Sequence, residues 1–289
     1  MMKKIFVLLL ILVLPMSLYA KKDKKEICIT FDELPAAAGF HEVDRDAVNY
    51  LILQSLKKHE VKALGFVVGQ QIEESFDIIG QWLNEGHKLG NMTFSNQDFH
   101  QLGIEQFIED VQQGEKALAP MVEGFGQKTK YFRYPFMHYG NTVEKKNQLE
   151  LYLDSKQYHV VPATVVIDDY LYNMTLDKMG KEPDTTPYFA LMNEYLNYII
   201  DEIEASELLA KEMLGRSCPQ ILNLRANRIN AVFLDELLGA IKSQGYTFIS
   251  VDKALKDKIF HKPEAYFGSL GVSYLEMLKQ SNPDFLPAE

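Results

Sequence analysis

Residues 26–35, EICITFDELP, form an apolar segment of strand character that ends in two adjacent carboxylates, Asp32 and Glu33. In parallel α/β folds, ligands gather at the carboxyl ends of the strands, because the loops there bring distant side chains together. A strand that delivers paired carboxylates to that edge predicts a polar site at one end of a parallel sheet.

The rest of the chain alternates between strand-like and helix-like segments. This alternation predicts parallel strands joined by crossover helices, and hence the α/β class. The expected strands are residues 26–31, 63–68, 87–91, 131–134, 159–167, 221–224 and 247–251. The expected helices are residues 45–59, 73–85, 103–119, 143–157, 187–214 and 231–244. Residues beyond 253 are expected to wrap back over the strands.

The first twenty residues have the features of a secretory signal: Lys3 and Lys4, then a short apolar run, then a small residue, Ala20. We expect cleavage after Ala20, which would place the mature chain in the periplasm or outside the cell without a stable membrane span. An uncleaved membrane anchor is the alternative, although the apolar run is short for a bilayer. Residues 21–289 suit one α/β barrel and contain no linker-like stretch, so we expect a single domain after the signal at 1–20.

Charge and cysteine content limit the possible partners. The formal net charge is −10, and loss of the signal would make it more negative, which argues against nucleic acid and anionic lipid as partners. Cys28 and Cys218 are the two cysteines. In an exported protein they could form a disulfide, and two buried free thiols are the alternative.

Five segments lie at spacings that suit the ends of successive strands: ITFDELP at 29–35, MTFSN at 92–96, YFRYPF at 131–136, VPATVVIDDY at 161–170 and QILNLRAN at 220–227. In this order they resemble the polysaccharide deacetylase family, also called the NodB-homology family. The resemblance implies a distorted (β/α) barrel of seven or eight parallel strands. It also implies hydrolysis of N-acetyl amide bonds in an N-acetylated glycan or cell-wall polysaccharide. The resemblance does not indicate whether the protein forms oligomers.

The family positions of the reaction carry altered residues in this chain. The family holds a divalent metal, zinc or cobalt-like, with one carboxylate and two histidines, and uses a separate aspartate as base and a further histidine as acid. By motif, Asp32 is the base position and Glu33 the carboxylate ligand position. Met92 and Asn96 stand at the two histidine positions, and Arg225 stands at the position of the acid histidine.

The chemistry of these replacements argues against a catalytic metal. A thioether such as that of Met92 suits soft ions, whereas the amide oxygen of Asn96 suits Ca²⁺ or Mg²⁺. An arginine cannot donate a proton usefully at neutral pH. We therefore expect no cofactor and impaired turnover.

Two further catalytic positions match the family. Arg133 stands where the family holds the base carboxylate by charge-assisted hydrogen bonds, and Asp169 matches its motif. An alternative role for Arg133 is an ion pair that serves only the fold. For Arg225 we expect a place beside Asp32 and Glu33, where its guanidinium would replace the metal as counter-charge, although an arginine turned into solvent is the alternative.

Two histidines follow these motifs closely. His100 comes four residues after the second histidine position, and His138 comes five residues after Arg133. Both could lie near the rim of the site. A relocated metal ligand and an ordinary surface histidine are the two interpretations of each.

Three functions are compatible with these residues. The favoured one is an exported deacetylase-like protein that has lost metal-dependent turnover and keeps a carbohydrate-binding cleft, with Tyr134, Phe136 and Tyr170 as the substrate-binding aromatic residues. The second is an active deacetylase with an unorthodox ion held by Asp32, Glu33 and Asn96. The third is an envelope interaction scaffold.

Overall fold

The computed structural model describes residues 24–37, 44–180 and 185–281. The predicted signal at residues 1–20 lies outside them. Seven strands, all parallel, form one sheet in the order β5-β4-β3-β2-β1-β6, with β7 also paired to β1. The strands are β1 Glu26–Leu34, β2 Leu64–Val67, β3 Lys88–Asn91, β4 Lys130–Phe132, β5 Tyr158–Val160, β6 Gln220–Arg225 and β7 Thr247–Phe248.

The two ends of this sheet are brought together by the chain that follows β5. The Val161 amide donates to the carbonyl of Phe132 in β4, and four residues later Val165 forms a parallel bridge with Leu222 of β6. The predicted strand at 159–167 is therefore wrong beyond Val160, because this segment leaves one neighbour and crosses to another. The predicted α/β fold with seven or eight parallel strands in a distorted barrel is confirmed, with seven strands.

Nine α-helices lie in the described residues, and most follow the predicted positions. They are α1 Arg45–Lys58, α2 Phe76–Asn84, α3 Ile104–Gly124, α4 Val143–Ser155, α5 Asp169–Lys178, α6 Thr185–Leu214, α7 Arg228–Ser243, α8 Val251–Ala254 and α9 Tyr274–Ser281. Helix α5 was not predicted. Its buried residues are Asp169, Asn173 and Leu176, so it lacks the apolar stripe by which a core-facing helix is recognised in sequence.

Alternate side chains of β1 face two different layers. Ile27, Ile29 and Phe31 pack in the large apolar cluster that includes residues of α1, α2, α6 and α7. Cys28 points the other way, into a cluster made chiefly of strand residues such as Leu64. Because side chains alternate along a strand, Asp32 lies on the same inward face as Cys28.

The remaining expectations for the core are mostly met. Helix α6 buries Leu191, Tyr195, Ile199 and Ile203 against the barrel, as its periodicity predicts. The chain after residue 253 packs back on the fold, where the amide of Tyr274 donates to the carbonyl of Ala163. Cys28 and Cys218 are both free and buried. Within residues 24–37, 44–180 and 185–281, no helix has the length and apolar character needed to cross a bilayer.

The loop at residues 92–96 is held in place by its neighbours on two sides. The Gly69 amide donates to the Thr93 carbonyl at 3.0 Å, and the Phe94 amide donates to the Asp110 carbonyl of α3 at 3.0 Å. Gly114 of α3 lies so close that a Cβ there would meet the side-chain oxygen of Asn91 at 2.4 Å and the Thr93 carbonyl carbon at 2.7 Å. The absence of a side chain at Gly114 lets α3 support this loop.

We predict that Gly114→Ala destabilises the protein by about 1–3 kcal/mol, because backbone of the loop at 92–96 must shift to accept the methyl group. Gly80→Ala in α2 is the matched control, since no atom beyond its chain neighbours and its own helix backbone lies within 4 Å of the added Cβ. The change should stabilise the protein by about 0.4–1 kcal/mol. Urea unfolding of both variants provides the measurement. Equal effects of the two substitutions would contradict the close packing of α3 on this loop.

Candidate functional site

Asp32 lies at the mouth of the barrel and is held by two side chains. Arg133 Nη1 donates to Asp32 Oδ1 at 3.2 Å, and Asn223 Nδ2 donates to Asp32 Oδ2. Arg133 is itself fixed, because its Nε donates to the Val161 carbonyl at 3.0 Å and its guanidinium lies 4.4 Å from the centroid of the Phe66 ring. Burial raises the pKa of Asp32 even though Arg133 and Asn223 act to lower it.

Arg225 makes a second set of ion pairs beside the first. Its Nε donates to Glu33 Oε1 at 3.2 Å, and its Nη1 donates to Asp169 Oδ1 at 2.5 Å. The backbone amide of Arg225 also donates to Asp169 Oδ2 at 2.7 Å. Burial would lower the pKa of Arg225, but Asp169 and Glu33 raise it further, so the guanidinium stays charged.

Asp169 is the most heavily bonded carboxylate of the site. Asn230 Nδ2 donates to its Oδ2 at 2.7 Å, and Tyr195 Oη donates to Asn230 Oδ1 at 2.5 Å. These bonds join α5, α6, α7 and β6 at one point. Sequence reasoning identified Asp169 but not Asn223 or Asn230. Only the two-residue alternation along β6, which places Asn223 on the face of Arg225, could have indicated the former.

The sequence-based positions therefore divide into two neighbouring groups. Asp32 is paired with Arg133, whereas Glu33 and Asp169 share Arg225. Three carboxylates are balanced by two guanidinium groups in a largely buried setting. Burial raises the pKa of Glu33, and the Arg225 charge only partly opposes that effect.

The three residues predicted to stand at metal-ligand positions do not form a coherent ligand set. Glu33 is engaged by Arg225, and Met92 is 1% exposed and packs inside the barrel. Asn96 keeps a buried amide oxygen with no hydrogen-bond partner among the described residues. One engaged carboxylate, one thioether and one amide do not fit zinc or cobalt, which favour imidazole nitrogen, thiolate sulfur and free carboxylate oxygen.

Several residues around the site have left-handed backbone conformations. The φ angles are 61° at Glu33, 62° at Thr93, 57° at Asn96 and 58° at Phe136. A β-branched residue such as Thr93 rarely adopts this conformation. Such strain persists only where surrounding contacts determine the backbone, and it concentrates at functional sites.

The three predicted aromatic residues differ in accessibility. Phe136 is 49% exposed and Tyr170 is 46% exposed, and the Tyr170 ring centroid lies 5.6 Å from Arg225 Cζ. Tyr134 is 2% exposed and its ring packs against Phe132 and Tyr139. Only Phe136 and Tyr170 of this set present a ring face that a ligand can reach.

The sequence model of the family described as "Polysaccharide deacetylase" matches residues 19–153. An uncharacterised 30.6 kDa protein of Geobacillus stearothermophilus is 26% identical over 84% of this chain and 76% of its own length. A peptidoglycan-N-acetylglucosamine deacetylase of Bacillus cereus is 27% identical over 62% of this chain. The match to the latter spans 55% of that relative.

Solved structures with the same fold include a carbohydrate esterase family 4 pseudoenzyme from Bacillus anthracis. It superposes with a TM-score of 0.53 at 18% identity, over 81% of this chain and 66% of that one. A mutant of the same protein, described as having restored enzymatic activity, gives a TM-score of 0.54 over 81% of this chain and 68% of its own. At this identity the likeness establishes the fold.

We predict that Arg225→Ala lowers the free energy of unfolding at pH 7 by about 3–5 kcal/mol, because it leaves Glu33 and Asp169 buried without their cation. Losing the guanidinium raises the pKa of the buried Glu33 carboxyl further above its ordinary value. The loss of unfolding free energy in Arg225→Ala should therefore be largest at neutral pH. It should shrink as the pH falls toward the ordinary pKa of a glutamate side chain, where Glu33 is protonated. Urea unfolding across this pH range is the measurement.

The matched control is Arg45→Ala, which removes an arginine that pairs with the exposed Glu74 at 3.0 Å. Surface pairs of this kind contribute about 0–1 kcal/mol. If both arginine variants lose the same small amount of stability, Arg225 does not balance the carboxylates of the site.

Proposed function

We propose that this chain, whose residues 19–153 match the polysaccharide deacetylase family model, is an exported glycan-binding member of that family whose hydrolysis of N-acetyl amides is impaired. The observation that carries the proposal is the pairing of Arg225 with Glu33 and Asp169. The carboxylate that would ligate the metal is neutralised by a side chain that occupies the acid position.

The same pairing removes two catalytic functions at once. A guanidinium has its donors directed at the carboxylates and offers no vacant coordination position, so it cannot polarise a carbonyl as a Lewis-acidic ion does. It also holds its proton far too tightly to protonate a leaving amine. Asp32 keeps its hydrogen bonds to Arg133 and Asn223, but a base alone contributes only part of the rate.

The accessible rings of Phe136 and Tyr170 support binding of a sugar. Aromatic faces at the rim of a polar pocket supply apolar contact area beside groups that orient a ligand. The Bacillus cereus relative is named for N-acetylglucosamine in peptidoglycan. We take an N-acetylated cell-wall glycan as the ligand class of this chain.

A second candidate is an active hydrolase with an unusual ion. The unpartnered amide oxygen of Asn96 favours it, because such an oxygen can ligate Ca²⁺ or Mg²⁺. The two candidates differ in a single measurable property, the release of acetate.

We predict that the protein binds N-acetylated chitooligosaccharides or peptidoglycan fragments without releasing acetate. Phe136→Ala and Tyr170→Ala should each weaken binding by about 0.5–1.5 kcal/mol, or roughly 2- to 13-fold in Kd, through loss of ring contact. Phe125→Ala is the matched control, because Phe125 is as exposed as Phe136 and caps the C-terminus of α3, at the end of the sheet where β4 begins. Isothermal titration calorimetry measures binding, and an enzymatic acetate assay measures turnover.

We further predict that turnover can be restored by returning the family residues to their positions. The variant Glu33→Asp, Met92→His, Asn96→His and Arg225→His should bind zinc and release acetate. The variant that keeps Arg225 and changes only the other three should not, because the guanidinium still engages the carboxylate. If the unaltered protein releases acetate as fast as the variant with four substitutions, the proposal is refuted and the second candidate, an active hydrolase, is supported.

A further inference from the structure

Two histidines and an aspartate form a cluster on the rim, in the loops that follow β3 and β4. His138 Nδ1 lies 2.8 Å from Asp98 Oδ1, a hydrogen bond. The His100 ring stacks on the His138 ring, with 4.1 Å between centroids and 3° between planes. One potential ligand atom from each of the three residues lies within 4.8 Å of those from the other two.

One ring nitrogen of the cluster is available to bind a ligand. His100 Nε2 is buried and has no hydrogen-bond partner among the described residues. In a neutral imidazole one ring nitrogen carries a lone pair, and an unpartnered Nε2 can present it to a metal ion.

The Asp98 carboxylate is held in place by hydrogen bonds from its neighbours. Its Oδ1 accepts from the backbone amide of His100 at 2.8 Å, and its Oδ2 accepts from Gln101 Nε2 at 3.3 Å. Burial acts to raise the pKa of Asp98, but the hydrogen bonds from His138 and from the His100 backbone lower it.

We propose that Asp98, His100 and His138 form a binding site for a divalent transition metal of the zinc class. Two imidazoles and one carboxylate are a ligand set that zinc accepts, with the remaining position open to water. The inference goes beyond the proposed function, since none of the three residues stands at a metal or catalytic position of the family, and the site is separate from the Asp32–Glu33 pair.

Binding requires a rearrangement that the geometry defines. An ion lies in the plane of each imidazole that ligates it, and two parallel rings cannot share such an ion. One ring must turn, and the ligand atoms must approach to about 3.3 Å for tetrahedral bonds of about 2.0–2.1 Å. Zinc binding should therefore abolish the stacking of His100 on His138, which is visible in the imidazole proton and nitrogen resonances.

A nearby positive charge limits the affinity. Lys145, whose Nζ lies 4.7 Å from the Phe99 ring centroid, contributes to lowering the pKa of His100, so its charge reaches the cluster. Removing that charge should strengthen zinc binding without changing a ligand. We therefore expect Lys145→Met to increase the affinity for zinc, a change that general damage to the fold would not produce.

The test uses zinc itself and the full-length protein without an affinity tag. Calorimetric titration should show one zinc per chain, with affinity reduced at least about 10- to 100-fold in His100→Gln and in His138→Gln. Lys145→Met should tighten binding. His159→Gln is the matched control, because His159 is exposed and lies outside the cluster. Thermal unfolding monitored by circular dichroism verifies that each variant is folded.

Three outcomes would overturn the site. They are absence of zinc binding, binding that survives the double variant of His100 and His138, and binding abolished instead by Asn96→Ala or Glu33→Gln. The last would place the ion at the family position. Acetate release and glycan binding are measured separately, so failure of the zinc site leaves the proposed function standing, and the reverse is also true.

Discussion

The need to balance the charges of three carboxylates at the mouth of the barrel constrains the residues and backbone around them. Asp32, Glu33 and Asp169 lie close together with little access to water, and like charges in such a setting are strongly unfavourable unless cations compensate them. Arg133 and Arg225 supply that compensation through hydrogen bonds with defined donors. Because a guanidinium is planar and permanently charged, each pairing also fixes the direction of the strand or loop that carries it.

This compensation joins elements that are distant in sequence. Arg225 ends β6, Glu33 lies near the end of β1, and Asp169 begins α5. Asn230 of α7 and Tyr195 of α6 extend the same network. Helices α5, α6 and α7 are thus tied to the end of the barrel by polar contacts in addition to their apolar packing. The polar contacts of the site therefore also hold the elements of the fold together.

The sequence predicted the parallel strands, their order along the chain and the strand-end positions of Asp32, Glu33, Arg133 and Arg225, because apolar periodicity and strand-end motifs are local signals. It did not predict that Asp169 is the partner of Arg225. Pairing depends on how α5 meets β6, and α5 gave no signal because polar residues occupy its buried face. The hydrogen bond between Asp98 and His138 joins two loops 40 residues apart, which no local pattern encodes.

An arginine and a metal ion that neutralise the same carboxylates differ in the chemistry they allow, beyond their difference in charge. Both neutralise the carboxylates, so both let the barrel tolerate acidic residues at its mouth. An ion also has exchangeable positions, at which water can be activated and a carbonyl polarised. The guanidinium of Arg225 directs its donors at Glu33, Asp169 and the Ile167 carbonyl, so it neutralises the site without presenting such a position. In the function proposed above, the stability of the barrel mouth is thereby separated from Lewis-acid chemistry, and the exposed aromatic rings of Phe136 and Tyr170 lie on a framework held by arginine–carboxylate pairs.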